Sequence, residues 1–276
     1  MAINDSGNNK YKQRLLLATP TTGLVRMEWV ASRYNQTIPT NWGKTDLIQY
    51  MNGYIPLRYT VHDAQNLAVK ACLEGGFEWL LFIEHDTMPP LDALWRFTEY
   101  MDKGDIPVVS GLYFTRSVPP EPMVYRGRGN HYFRDWKLED KVWVDGVPTG
   151  LVLIHASLLQ AVWDDSPEYV VSHVGQPQAT RRVFSTLAQS WFNEETGAQE
   201  TLVGTSDLDF CSRVIKGDYL TKAGFPKIAK MKYPFLIDTQ IYAKHINPDG
   251  TQFPIEFPKE YLDDDPQNYK GREIKE

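Results

Sequence analysis

The chain has 276 residues, with 29 Lys and Arg against 35 Asp and Glu, for a formal charge of −6. Its 42% apolar and 23% charged residues match an ordinary globular composition, and the length allows a full hydrophobic core. No run of 18 apolar residues occurs and mean hydropathy is −0.42, which excludes a helical membrane span.

The N-terminal MAINDSGNNKYKQR carries no apolar leader core, and the two cysteines, Cys72 and Cys211, are too few for a disulfide framework or a four-thiolate zinc site. Both features predict a cytoplasmic protein. The acidic balance argues against nucleic-acid binding over the whole surface, though not against a local basic patch.

In chain order, residues 1–13 are polar and predict a flexible N-terminus. RLLLAT (Arg14–Thr19) predicts a short buried strand closed by Pro20. HDAQNLAVKACLE (His62–Glu74) places Leu67, Ala68, Ala71 and Cys72 on one helical stripe, and Gly75-Gly76 ends it. WLLFI (Trp79–Ile83) is apolar throughout, the pattern of a strand covered on both faces. A helix over Leu91–Met101 follows Pro89-Pro90, and Val108–Leu112 reads as the next strand.

Arg116–Pro122 is a proline-rich loop, and Val124–Val144 is aromatic and basic with hairpin-like segments. GLVLI (Gly150–Ile154) reads as a buried strand and Ser157–Val162 as a helix start. Residues 164–200 predict an irregular, mobile loop region. Ser206–Val214 predicts a helix, Phe235–His245 a strand, and the tail beyond Gly250, with its DDDP run, a solvated appendage.

Three constellations carry candidate chemistry. Glu84-His85-Asp86 follows the WLLFI strand, at the carboxyl end where α/β sheets bind ligands. Two alternating acids there can hold a hard divalent cation, or simply be a solvated strand end. Asp207 in Ser206-Asp207-Leu208-Asp209 can cap a helix or serve as a general base. His245, before Asn247-Pro248-Asp249-Gly250, is either structural or the nitrogen donor of a mixed oxygen and nitrogen site for a manganese-like ion.

Taken together and in order, these blocks resemble the GT-A-fold glycosyltransferases, closest to the family-2-like group. HDAQNLAVKACLEGGFEWLLFIEHDTMPPLDAL is similar to that family's helix, strand and acid-x-acid metal motif, and VPTGLVLI to its Thr-Gly strand on the acceptor side. GTSDLDFCSRV resembles the acidic motif carrying the catalytic base, and AKHINPDG the late strand whose histidine is the last metal ligand. The four blocks fall within residues 14–250.

The resemblance implies an α/β GT-A (Rossmann-like) fold: one domain over 14–250 with a mixed, mostly parallel sheet flanked by helices. It divides into a nucleotide-sugar half (14–115) and an acceptor half (116–250), followed by a tail (251–276). It implies Mn2+ or Mg2+ held by Asp86 and His245, with Glu84 at the metal or the donor ribose, and Asp207 as the base. Thr19 and Pro20 would lie beside the nucleotide base, and Asn66 on the helix under the donor.

The chain departs from the family in having Glu84 where the first acid is usually Asp, and Ser206 where an acid usually precedes the catalytic Asp. The implied activity is transfer of a sugar from a UDP- or GDP-linked donor to a glycan or other hydroxyl acceptor, with inversion. YRGRGNHYFRDWK (Tyr125–Lys137) suggests a polyanionic or nucleic-acid acceptor, or else an exposed hairpin. Arg181-Arg182 suggests pyrophosphate contacts from a closing loop.

Two rivals remain. One is a non-catalytic glycan- or nucleotide-binding module on a transferase scaffold. The other is a sugar nucleotidyltransferase, disfavoured because TPTTGLVRMEW is not a glycine-rich basic loop.

Overall fold

The computed structural model describes residues 11–38, 50–127, 132–173, 176–186, 188–263 and 271–275. In the first part of the chain it contains β1 (Gln13–Ala18), α1 (Met27–Tyr34), β2 (Tyr50–Tyr54), α2 (Val61–Gly75), β3 (Phe77–Ile83), β4 (Thr87–Met88), α3 (Ala93–Lys103) and β5 (Val108–Leu112). Then come β6 (Lys141–Val144), β7 (Leu151–His155), α4 (Ala156–Asp164), β8 (Glu168–His173), β9 (Gln176–Arg181), β10 (Ala188–Asn193) and β11 (Ala198–Val203). The last part holds α5 (Ser206–Lys216), α6 (Tyr219–Lys222), α7 (Pro226–Ala229), β12 (Phe235–Tyr242), β13 (Lys244–Ile246), β14 (Gln252–Phe253) and β15 (Glu273–Ile274).

The apolar runs build one eight-stranded sheet in the order β15-β6-β12-β5-β7-β3-β1-β2. Strands β1, β2, β3, β5 and β12 share one direction, while β7, β6 and β15 run against them. This is the mixed, mostly parallel α/β sheet that the sequence predicts. β7, from the second half of the chain, lies between β3 and β5, so both halves share one core.

Leu80, Leu81, Phe82 and Ile83 of β3 are inaccessible to solvent, each worth roughly 1.5–3 kcal/mol of burial. α2 buries Leu67, Ala68 and Cys72 and stops at Gly76, whose φ of 69° lets its N–H reach the Cys72 carbonyl. α3 ends likewise at Gly104. Among the described residues no helix is long and apolar enough to cross a membrane.

The fold differs from the sequence reading in four places. Residues 164–200 are not an irregular loop: β8 pairs with β9 and β10 with β11, as two antiparallel ribbons. β9 is exposed over its first four residues, so no apolar alternation marks it. Next, the strand expected over Phe235–His245 breaks at Ala243. Its register on β5 slips between Asp238 and Tyr242, and β13 leaves for a small sheet with β4 and β14.

The basic aromatic stretch is mostly spent on packing. Arg126 lies over the rings of Phe133 and Tyr233, at 4.0 and 4.5 Å, and donates to the Trp143 and Ile274 carbonyls. Arg134 pairs with Glu121, Lys137 donates to the Glu260 and Leu262 carbonyls, and Arg128 lies outside the described residues.

Lastly, the two ends of the chain join the core. Tyr11 packs on it and Gln13 opens β1, while residues 1–10 lie outside the described residues. In the tail, Tyr261 stacks on Trp136 at 4.1 Å, β14 pairs with β13, and β15 pairs with β6. Of the DDDP run, Asp264 to Pro266 lie outside the described residues.

Candidate active site at the carboxyl edge of the sheet

Strand direction decides which side chains can meet. The carboxyl ends of β1, β3, β5 and β12 and the amino end of the reversed β7 share one edge of the sheet. That edge therefore receives Thr19 and Pro20 after β1, Glu84 and Asp86 after β3, Tyr113 to Arg116 after β5, Thr149 and Gly150 before β7, and His245 beyond β12.

Thr149 joins the two candidate acids. Its hydroxyl donates to Glu84 Oε1 at 3.2 Å, and its backbone is among the groups that favour the Asp207 carboxylate. The same hydroxyl accepts from Gln65 Nε2 at 2.8 Å, and Gln65 Oε1 accepts from the Ser206 hydroxyl at 2.8 Å. α2, the loop before β7 and the start of α5 are thus tied by one buried polar chain ending on Glu84. Ser206, where the family usually has an acid, is a link in that chain.

Burial, and then the nearby Asp207 charge, push Glu84 up to about 7. Burial also raises Asp207, against the lowering effect of hydrogen bonds from Thr205, Leu208 and Thr149. Asp207 sits one residue inside α5, behind Thr205 at the cap position, and accepts from the Leu208 N–H at 2.9 Å. It therefore serves its own helix end and borders the site at once.

His245 Nδ1 lies 2.6 Å from the Phe114 carbonyl. A carbonyl only accepts, so Nδ1 carries the proton. Burial and the Arg116 charge hold the ring down to about 4, so it is neutral and Nε2 keeps a free lone pair. Asp86 is adjacent: its carbonyl accepts from the Ile246 N–H at 2.8 Å. One Asp86 oxygen, Oδ2, pairs with Arg116. The other, Oδ1, is buried without a partner.

The resemblance assigns Glu84, Asp86 and His245 to a metal. Among the described residues no three His, Cys, Asp or Glu side chains are grouped so as to hold a metal ion; Thr149 engages Glu84, and Arg116 pairs with Asp86. Two donors nevertheless fit a hard divalent ion: the orphaned Asp86 Oδ1 and the oriented His245 Nε2, whose Nδ1–H on a backbone carbonyl is the usual support for a ligating imidazole. Mg2+-type ions take few protein ligands and complete their shell with phosphate and water.

The remaining predicted residues lie less directly in the open site. Thr19 and Pro20 are buried, and the Pro20 carbonyl faces His85 Nδ1 at 3.2 Å. Asn66 is fully buried: its amide holds the Phe184 N–H and carbonyl and the Tyr169 hydroxyl, which leaves it supporting the β8–β9 ribbon rather than touching open space. Arg181 pairs with Glu168 and Arg182 covers the Tyr169 ring at 4.4 Å, so both are engaged within or beside that ribbon.

Sequence reading passed over Arg116, Tyr113 and Gln65. Tyr113 meets the His245 ring edge-on at 4.8 Å, and its Oη accepts from the Gly150 N–H at 2.6 Å. None of the three stands in a local pattern that marks it.

Two clefts flank the site. One, of about 370 Å3, is lined by Arg26, His85, Asp86, Arg116 and Asn247. The other, of about 240 Å3, is lined by Tyr125, Asp145, Leu208, Ser212, Lys216 and Lys232. Asp86, two residues after Glu84, lines the first cleft, and Leu208, next to Asp207, lines the second.

No protein-family model matches the chain, and no curated protein matches it. Among solved structures it is similar to A197 from STIV, at 16% identity and a TM-score of 0.48 over 87% of this chain and 93% of that one. It is also similar to S. aureus TarS, at 11% identity and a TM-score of 0.34 over 54% of this chain and 30% of that one. A shorter TarS chain, 1–349, gives 14% identity and 0.34 over 56% and 50%.

Proposed function

We propose that this protein is a GT-A-type glycosyltransferase that moves a sugar from a UDP- or GDP-linked donor to an acceptor hydroxyl. The observation that carries the reading is the meeting of two half-buried carboxylates at the ligand-binding edge of the sheet: the Thr149 hydroxyl donates to Glu84, and the Asp207 charge acts on Glu84.

The donor diphosphate fits the cleft holding Arg26, Asp86 and Arg116, where guanidinium groups meet anionic oxygens. A bound Mn2+ or Mg2+, held by Asp86 and His245, would supply Lewis-acid stabilisation of the departing phosphate. The acceptor fits the Tyr125 and Leu208 cleft. Asp207, whose proton affinity burial raises, takes the hydroxyl proton as the hydroxyl attacks the anomeric carbon, an effect typically worth about 10²–10⁴-fold. Attack from the acceptor cleft, opposite the leaving phosphate, inverts the anomeric centre.

The test is nucleotide release from a panel of UDP- and GDP-sugars with Mn2+. Turnover with at least one donor is expected, and Asp207→Asn should lower it about a hundredfold or more while nucleotide affinity stays within about twofold. Binding without turnover for every donor would identify a non-catalytic module instead. Equal loss of turnover and binding in Asp207→Asn would make Asp207 structural.

A further inference from the structure

We propose that Arg116 is a built-in competitor of the divalent cation at Asp86, and that its guanidinium moves to the donor diphosphate when the cation takes its place. This rests on the donor-site reading above and goes beyond it, by assigning a residue that neither local pattern nor resemblance marks.

Arg116 pairs with Asp86 Oδ2, and Oδ1 of the same carboxylate is buried and unpartnered. The Arg116 charge also acts on Glu84 and on His245. One guanidinium therefore pairs with Asp86 and acts by its charge on the other two side chains that the resemblance gives to a metal. A divalent ion bound to Asp86 beside that guanidinium would meet like-charge repulsion in a partly enclosed site. Occupancy by one thus disfavours occupancy by the other.

The local structure gives Arg116 a fixed base and a free arm. Its loop is closed by the Thr115 N–H on the Glu121 carbonyl at 2.8 Å, the Glu121 N–H on the Thr115 hydroxyl at 2.9 Å, and the Ser117 hydroxyl on the Pro119 carbonyl at 2.8 Å. The side chain is 36% exposed and lines the 370 Å3 cleft together with Arg26, which is anchored by Glu28 and the Pro248 carbonyl. A diphosphate in that cleft can accept from Arg116 in the bidentate manner guanidinium favours. Leaving Asp86 then needs only side-chain rotation. Anion and cation each remove one partner of the same ion pair, so each eases binding of the other.

The experiment uses the full chain with two probes, Mn2+ alone, followed by its spin-resonance signal, and UDP or GDP in excess chelator, followed by calorimetry. Arg116→Ala should bind Mn2+ about tenfold tighter than wild type and bind metal-free nucleotide about tenfold more weakly, because a resident positive charge is gone from both equilibria. Arg116→Lys should keep Mn2+ affinity within about threefold of wild type. Mn2+ binding to Arg116→Ala that is no tighter than to wild type overturns the proposal, as does unchanged nucleotide affinity in chelator. Loss of both affinities, unrescued by lysine, assigns Arg116 to the scaffold and also overturns it. Asp86→Asn separates the two claims: it should abolish Mn2+ binding with or without Arg116. Retention there refutes Asp86 as a ligand, while tighter Mn2+ binding in wild type than in Arg116→Ala refutes only the competition.

Discussion

Gly150 shows how little room the site leaves. A Cβ there would stand 2.5 Å from Tyr113 Oη and 2.8 Å from Thr87 Oγ1, while its N–H must still reach that Tyr113 oxygen. Gly150→Ala should therefore cost about 1–3 kcal/mol in urea denaturation and shift Tyr113 off the His245 ring. Stability equal to wild type would mean that the pocket gives way freely.

His245 carries a pH prediction for the metal-free protein. Its folded pKa of about 4 lies below the ordinary 6.5, so as pH falls below 6.5 the unfolded chain binds a proton that the folded one refuses. Stability present above pH 6.5 is thus lost down to about pH 4, to a total of roughly 3 kcal/mol. Glu84 works the other way: with a folded value near 7, its ionisation costs stability as pH rises from about 4.5 to 7. The two windows overlap, so each effect is read as wild type minus variant, using His245→Gln and Glu84→Gln. If the His245→Gln difference is flat between pH 4 and 6.5, the imidazole is not held neutral.

At this scale the acids and His245 were legible because each stands at a strand or helix end in its own local pattern. Arg116, Gln65 and Tyr113 were not, because their meaning lies in partners that only the folded chain brings near.

Among elements, those that bury a continuous apolar face were readable, and those that do not were missed. WLLFI and the Leu67–Cys72 stripe announce themselves through burial, and Gly76 marks where the helix must end. The β8–β9 ribbon has no such face and is held instead by polar ties: Asn66 to Phe184 on both backbone groups, Tyr169 Oη to Asp63 at 2.7 Å, and the Thr180 hydroxyl to the Asn66 carbonyl at 3.2 Å.

Asn66→Ala removes three hydrogen bonds and leaves the Phe184 N–H and carbonyl buried and unpaired. The expected loss is about 2–4 kcal/mol, with faster amide exchange over residues 168–186. That exchange pattern is what separates a clamp from a donor ligand. A variant that loses nucleotide affinity with normal exchange in the ribbon would return Asn66 to the binding site.

For the molecule as a whole, the apolar runs foretold the buried strands of an α/β sheet and the resemblance its mixed, mostly parallel order, but neither foretold how the end of the chain is used. The tail looks solvated in sequence because its anchors are few and far apart. Folding makes them sufficient, by setting Tyr261 flat on Trp136 and placing Phe257 and Tyr261 against Phe114, at 5.7 and 6.0 Å. Phe114 is the residue whose carbonyl fixes the His245 tautomer, and Arg116 lies two positions on. The tail therefore braces the wall of the candidate site from behind. Tyr261→Ala should cost about 3 kcal/mol or more, in line with losing a large buried ring, while Tyr261→Phe keeps the stack and should cost under about 1 kcal/mol. Since the brace acts through Phe114, the alanine variant should also raise the pH at which His245 titrates in histidine NMR, by loosening the burial that holds the ring neutral. Full stability in Tyr261→Ala would reduce the tail to an appendage. Lost stability with an unmoved His245 titration would confine its role to the core and detach it from the site.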